Sequence, residues 1–274
     1  MKRREGPWTI LGATLIILWA LAPVVWIFSL SFKAGDDINN NRFWPTSFST
    51  ENYETVFNTP LFTSALRNSI GISLLATVLS VAIATVAAYA IARLDFPGKR
   101  AVLSIALAIA MFPAVSLVGP LFNIWRNVGL YDTWVGLIIP YMSFTLPLSL
   151  WTLSAFFREI PWEMEEAAQM DGATPWQAFR KVIVPLAAPG VFTAAILAFF
   201  FAWNDFVFAI SLTSTNAARP VPAALAFFTG ASQFQQPAGA ISAAAVVVTI
   251  PVIVLVLLFQ KKFVAGLTNG AVKG

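Results

Sequence analysis

Residues 70–92 read IGISLLATVLSVAIATVAAYAIA, a run without a charged side chain that stops at Arg93. A helix needs about 20 apolar residues to cross the hydrocarbon layer of a bilayer, so this run predicts a transmembrane helix. Its second half, residues 80–92, is rich in Ala, Ser and Thr. Small residues let helix backbones approach closely where lipid supplies no hydrophobic drive, and a compact helix bundle is expected. Stretches of similar character lie at residues 8–32, 101–122, 134–157, 189–212 and 238–259. The expected fold is all-α: a polytopic membrane protein with six transmembrane helices in a single domain over residues 1–274. Pro113 and the pair Gly119–Pro120 interrupt the third stretch, so a kinked or broken helix is expected there. The first stretch has an apolar core too long for a signal peptide, with no evident small-residue cleavage site after it.

Composition agrees with a membrane chain. Of 274 residues 58% are hydrophobic and 11% charged, and the mean hydropathy is +0.75; a soluble domain carries about 25% charged residues. This excludes a disordered chain, a cysteine-rich secreted module and an ordinary cytosolic enzyme. With no Cys and no His, disulfides, thiol nucleophiles, thiolate metal sites and imidazole bases are excluded too. The net charge of +4 does not point to nucleic acid, because the cations sit in short gaps between apolar runs. With both termini inside, Lys2, Arg3, Arg4, Arg93, Lys99, Arg100, Arg158, Arg180, Lys181, Lys261, Lys262 and Lys273 are cytoplasmic, 12 of the 17 Lys and Arg residues. Lys33, Arg42, Arg67, Arg126 and Arg219 are outside. The positive-inside rule favours this orientation.

Two outer connections stand out. Residues 33–63 are polar, with Asn39, Asn40, Asn41 and Pro45, and read as a connector with one short surface helix. Residues 213–237 are broken by Pro220, Pro222, Gly230 and Pro237, and residues 223–228 are apolar enough to dip back into the interface.

The cytoplasmic segment 158–188 carries Glu159, Glu163, Glu165, Glu166 and Asp171, flanked by Arg158, Arg180 and Lys181. Pro161 suits a first helical turn, with Glu163 and Glu165 near the positive end. Asp171–Gly172 ends that helix. Thr174 can cap a second, with Pro175 first and Gln177 three residues after the cap; this helix is expected to end at Pro185. Met164, Ala167, Ala168 and Met170, then Trp176, Phe179, Val182 and Ile183, recur at helical spacing. Two short amphipathic helices are therefore expected. They would either rest on lipid headgroups or dock another protein. The acidic face favours docking, since inner-leaflet lipids are anionic.

The segment EEAAQMDGATPWQAFRKVIVPLAAPG, residues 165–190, resembles the signature loop of ABC importer permeases: an EAA triplet, a Gly four residues beyond it and a closing hydrophobic-x-hydrophobic-Pro. Glu166, Ala167, Ala168, Gly172, Val182, Val184 and Pro185 meet those positions. ARLDFPGKR (92–100), LPLSLWTLSAFFREIPWEMEEAA (146–168), the triplet Trp203-Asn204-Asp205 and the tail FVAGLTNGAVKG (263–274) are similar to the second permease subunit of maltose-type sugar importers, and among them to actinobacterial trehalose importers. The resemblance implies the ABC importer permease fold, a bacterial inner-membrane location and a share in the translocation path of a disaccharide such as trehalose. Maltose or glycerol phosphate remain alternatives. It implies these partners: a second permease subunit, a dimeric ABC ATPase that holds ATP and Mg, an extracytoplasmic sugar-binding lipoprotein, and membrane lipids. The chain itself would bind no cofactor, metal or nucleic acid.

Under that resemblance Glu166, Ala167, Ala168, Asp171, Gly172 and Pro185 couple the chain to the ATPase. Gly266, Gly270 and Gly274, in the cytoplasmic tail 261–274, reach into the ATPase dimer interface. Trp203, Asn204 and Asp205 are candidates to line the sugar path. Asp205 is the acidic residue placed inside a span, 16 residues beyond Pro189, or about 24 Å along a helix. Its competing reading is a structural network between helices. With no GxxxxGK[ST] run, the chain should not hydrolyse ATP by that route. A secondary carrier, whose ion coupling would fall to Asp205, and a membrane scaffold are the rival readings.

Overall fold

The computed structural model describes residues 6–40, 42–228 and 237–271, with side chains described through Phe259. The helices are α1 Pro7–Ser31, α2 Glu51–Asn58, α3 Pro60–Arg93, α4 Lys99–Ala110, α5 Ala114–Val128, α6 Trp134–Glu159, α7 Glu163–Met170, α8 Pro175–Leu186, α9 Ala188–Asn204, α10 Val207–Leu212, α11 Val221–Ala226 and α12 Ala238–Ala271. No strand occurs among the described residues. The chain forms two compact units: residues up to Thr63 with Ala224–Pro251, and Ser64–Ala223 with the chain from Val252 onward.

α1, α3, α6 and α12 are each long and apolar enough to span a membrane. The other two expected spans are bent. Residues 101–122 are not one helix: α4 and α5 meet at 87°. Pro113 causes the break, since it lacks an N–H and disfavours helical geometry at Phe112. Neither piece, about 18 and 22 Å long, reaches across the bilayer alone. The Gly119–Pro120 pair, also expected to interrupt, leaves α5 continuous. Residues 189–212 are likewise divided, at Asp205–Phe206 between α9 and α10, and α8 meets α9 at 72°.

α6 is the axis of the larger unit, packing against α4, α9 and α10. Thirteen of its 26 residues are buried. Its small polar residues make the close crossing with α3, where Ser80 Oγ lies 2.7 Å from Thr145 Oγ1. Ala84 and Ala88 of α3 are fully buried in the core that also takes Leu153, Phe157, Phe179 and Ile183. This is the close approach that the composition of residues 80–92 predicts.

In the smaller unit the connector after α1 is folded tightly. A short 3-10 turn, Gly35–Asn39, precedes α2. Lys33 is fully buried, with Nζ donating to Arg42 O (2.6 Å) and Asn40 Oδ1 (3.1 Å) and sitting over the Trp26 ring. Asn52 of α2 donates to Ser31 O and Lys33 O at 3.0 and 2.6 Å. A cation counted as a topological marker is thus the lock of its own loop.

Candidate functional site

α7 and α8 form the expected hairpin. Gly172 closes the turn at φ +87°, a left-handed geometry that glycine adopts without a Cβ penalty. Thr174 caps α8 through a full capping box: Gln177 N donates to Thr174 Oγ1 at 3.3 Å, and Thr174 N to Gln177 Oε1 at 2.9 Å. Pro185 does not end α8. The run passes through a π-turn at Phe179–Ile183 and stops after Leu186. The π register absorbs a proline, because the N–H that Pro185 lacks would have continued the α ladder.

The two helices turn different faces to the body of the protein. Phe179 and Ile183 of α8 are buried, as helical spacing suggests, but Trp176 is 59% exposed. In α7 the pattern is inverted. Met170 is 88% exposed, Met164, Glu166 and Ala167 are exposed too, and Glu165 is the one buried residue. The coupling candidates Glu166, Ala167, Asp171, Gly172 and Pro185 all face outward, and Ala168 is half-buried. The hairpin therefore presents acidic, small and apolar side chains together.

Glu165 points inward to the end of α3. Tyr89 donates its hydroxyl to Glu165 Oε1, and Arg93 Nε lies 3.8 Å from Glu165 Oε2. Arg93 Nη2 also donates to Ile160 O at 2.7 Å, and its guanidinium lies 4.4 Å from the Trp162 ring centre. Tyr89 packs against Phe179 and Phe157 at ring-centre distances of 4.6 and 6.1 Å. Sequence reasoning missed this cluster. Arg93 reads as a topological charge and Glu165 as a first-turn carboxylate. The sole sequence signal is the i,i+4 pair Tyr89–Arg93 at a helix end.

At the α9–α10 break Asp205 performs a capping role. Its Oδ2 accepts from Ala209 N at 3.0 Å and from the Tyr141 hydroxyl at 3.0 Å. Its Oδ1 faces Phe208 N at 3.5 Å. Trp203 is buried and stacked on Phe199 at 5.3 Å. Asn204 is exposed, with its amide donating to Phe200 O. So the triplet divides: Asp205 holds the helix break, Trp203 is buried beside Phe199 and Asn204 faces outward. Of the tail candidates, Gly266 and Gly270 lie on α12, which continues to Ala271. Gly274 lies outside the described residues, as do Lys2, Arg3, Arg4, Asn41, Gly230 and Lys273.

Away from the hairpin, Asp132 ties two connections together. Its carboxylate accepts from Ser214 N (3.0 Å), Thr215 N (3.2 Å) and Thr215 Oγ1 (2.6 Å). Partial burial pushes its pKa up, but the Thr215 and Ser214 bonds outweigh it and hold the carboxyl below its ordinary value. Among the described residues no group of His, Cys, Asp and Glu could hold a metal ion.

Comparison with known proteins gives one answer at every level. Residues 80–269 match the model for the binding-protein-dependent transport system inner membrane component. The chain is 60% identical over 272 residues to the trehalose transport system permease protein SugB of Mycobacterium tuberculosis, covering 99% of both chains. It is 39% identical over 267 residues to the trehalose/maltose transport system permease protein MalG of Thermococcus litoralis, covering 97% of this chain and 96% of that one. Its fold is similar, with a TM-score of 0.81 and 27% identity, to a chain of a bacterial ABC transporter involved in the import of the acidic polysaccharide alginate; the match covers 96% and 99% of the two chains. These relatives are transport components rather than enzymes. With a family match over most of its length and full-length relatives at 60% and 39% identity, this all-α, multi-pass chain belongs to the family of binding-protein-dependent transport system inner membrane components, the ABC importer permeases.

Proposed function

We propose that the chain is the second permease subunit of an ATP-driven disaccharide importer whose cargo is trehalose. The observation that carries this reading is the 60% identity to a trehalose permease along essentially the whole of both chains. The 39% relative that carries trehalose or maltose makes maltose the competing sugar.

The chain works in a complex with a second permease, a dimeric ATPase and an extracytoplasmic binding protein. ATP and Mg are held by the ATPase, and this chain binds no cofactor. Both termini are cytoplasmic, in keeping with 12 of 17 basic residues on that side. The outward-facing Glu166, Ala167, Asp171 and Gly172, with Ala168 behind them and Pro185 at the end of α8, form the surface the ATPase grips. Small side chains admit close approach, and the carboxylates supply charged contacts. ATP-driven closure of the ATPase moves the hairpins and opens the cavity outward; hydrolysis resets it. Asn204 is the member of the triplet exposed for sugar contact, while Asp205 caps the break beside it and Trp203 packs behind it. The tail with Gly266, Gly270 and Gly274 reaches the ATPase dimer interface.

The test is uptake of labelled trehalose by a strain deleted for this chain and by its complemented counterpart, with maltose and glycerol phosphate as competitors. Trehalose uptake should vanish and return. Uptake unaffected by the deletion, or lost for maltose while trehalose persists, overturns the reading.

A further inference from the structure

α7 is held to the body of the protein in an unusual way. Its apolar side chains Met164 and Met170 face outward, and the one buried residue among its eight is Glu165. Apolar burial tolerates sliding, because one greasy contact replaces another. A buried carboxylate does not, because leaving its partners strands a charge.

Those partners lie 72 and 76 residues back along the chain, on the last turns of α3. Tyr89 is fixed by Phe157 and Phe179, so its hydroxyl is aimed. Arg93, 7% exposed, is held on three sides by Glu165, the Ile160 carbonyl and the Trp162 ring. α7 also packs against α8, whose Phe179 and Ile183 sit in the core with Ala84, Ala88 and Leu153, but that contact is apolar, and the covalent routes out of α7 are bent. On one side the chain leaves α6 through an extended Ile160. On the other it passes the Gly172 turn and the 72° break between α8 and α9.

We infer that Tyr89, Arg93 and Glu165 form a clamp that makes α7 and α3 move as one body, so that a displacement of the hairpin is delivered directly to the end of α3. The clamp rests on the reading of the hairpin as the ATPase-gripped surface. Its members are positioning residues: they touch neither sugar nor nucleotide. Glu166, next to Glu165, faces the partner, so adjacent carboxylates divide the work between outward contact and inward transmission.

The experiment uses the full complex in proteoliposomes, with trehalose uptake and ATP hydrolysis measured on the same preparation. Tyr89→Phe and Glu165→Gln should each lower sugar carried per ATP by about tenfold, the ratio expected for loss of one charge-assisted hydrogen bond. Copurification of the ATPase should be unchanged. The double variant should be no worse than the poorer single, because both break one network. Arg93→Lys, which keeps the charge but not the fork or the ring contact, should fall between. A merely structural role would lower uptake and hydrolysis together and leave their ratio alone. A wild-type ratio in Tyr89→Phe, or losses that multiply in the double variant, overturns the clamp. If Glu165→Gln fails to reach the membrane, Tyr89→Phe decides, since it removes a single oxygen. A wild-type complex that lacks the ATPase or carries no trehalose strikes the proposed function; one that couples normally alongside a normally coupled Tyr89→Phe strikes the clamp alone.

Discussion

Gly172 and Asp132 each hold a turn, by different physics. Adding a Cβ at Gly172 meets nothing within 4 Å, so the constraint there is the positive φ and not space. Gly172→Ala should cost the turn about 1 kcal/mol, read as a roughly fivefold faster amide exchange across residues 168–174; Gly172→Asn, which tolerates the left-handed region, should cost less. Gly172→Trp adds bulk on an exposed turn at the same backbone cost as Gly172→Ala, so any loss of ATPase copurification or uptake beyond that of Gly172→Ala reports the partner surface. Normal association and uptake in that variant would remove Gly172 from the docking site. Asp132 acts through its hydrogen bonds. Its folded pKa is depressed, so its contribution is present above the unfolded carboxylate pKa and is lost as pH falls through the folded value. Wild-type melting temperature should therefore fall below about pH 4 more steeply than that of Asp132→Asn, in detergent melts taken across that window.

Element by element, the hairpin and the bent spans show where periodicity stops being informative. Met164, Ala167, Ala168 and Met170 fit an amphipathic helix, but the spacing does not say whether their face turns to the protein's own core or away from it. In α7 that face is outward and a carboxylate is inward, where Tyr89 donates to Glu165 Oε1 and Arg93 lies opposite Oε2 as an ion pair at 3.8 Å. α8 obeys the ordinary rule at Phe179 and Ile183. The α6–α9 crossing depends on Gly190: a Cβ there would sit 2.4 Å from Phe156 Cγ, the rigid root of a side chain. Gly190→Ala should cost about 1–3 kcal/mol, seen as a lower melting temperature in detergent. Gly12→Ala in α1, where a Cβ meets nothing within 4 Å, is the control and should be neutral.

At the scale of the whole molecule, the absence of cysteine makes topology directly measurable. Met170→Cys places a single thiol on a side chain of α7 that is 88% exposed. It should react with a membrane-impermeant maleimide in inverted vesicles and stay protected in intact cells; the reverse result would turn the chain over and end the coupling reading. The sequence by itself determined the all-α, multi-pass class, the location of the apolar segments, the Thr174 capping box and the EAA signature. Those properties depend on local composition and on spacings of a few residues, which one helix can satisfy alone. Tertiary structure decided the right-angle break at Pro113 as against the continuity at Gly119–Pro120, the division of Trp203, Asn204 and Asp205, and the pairing of Glu165 with Tyr89 and Arg93. The placing of Asp205 and of Glu165 turns on which distant side chain is available to a polar group out of water, here Tyr141 for one and Tyr89 and Arg93 for the other, and a linear pattern carries no record of that.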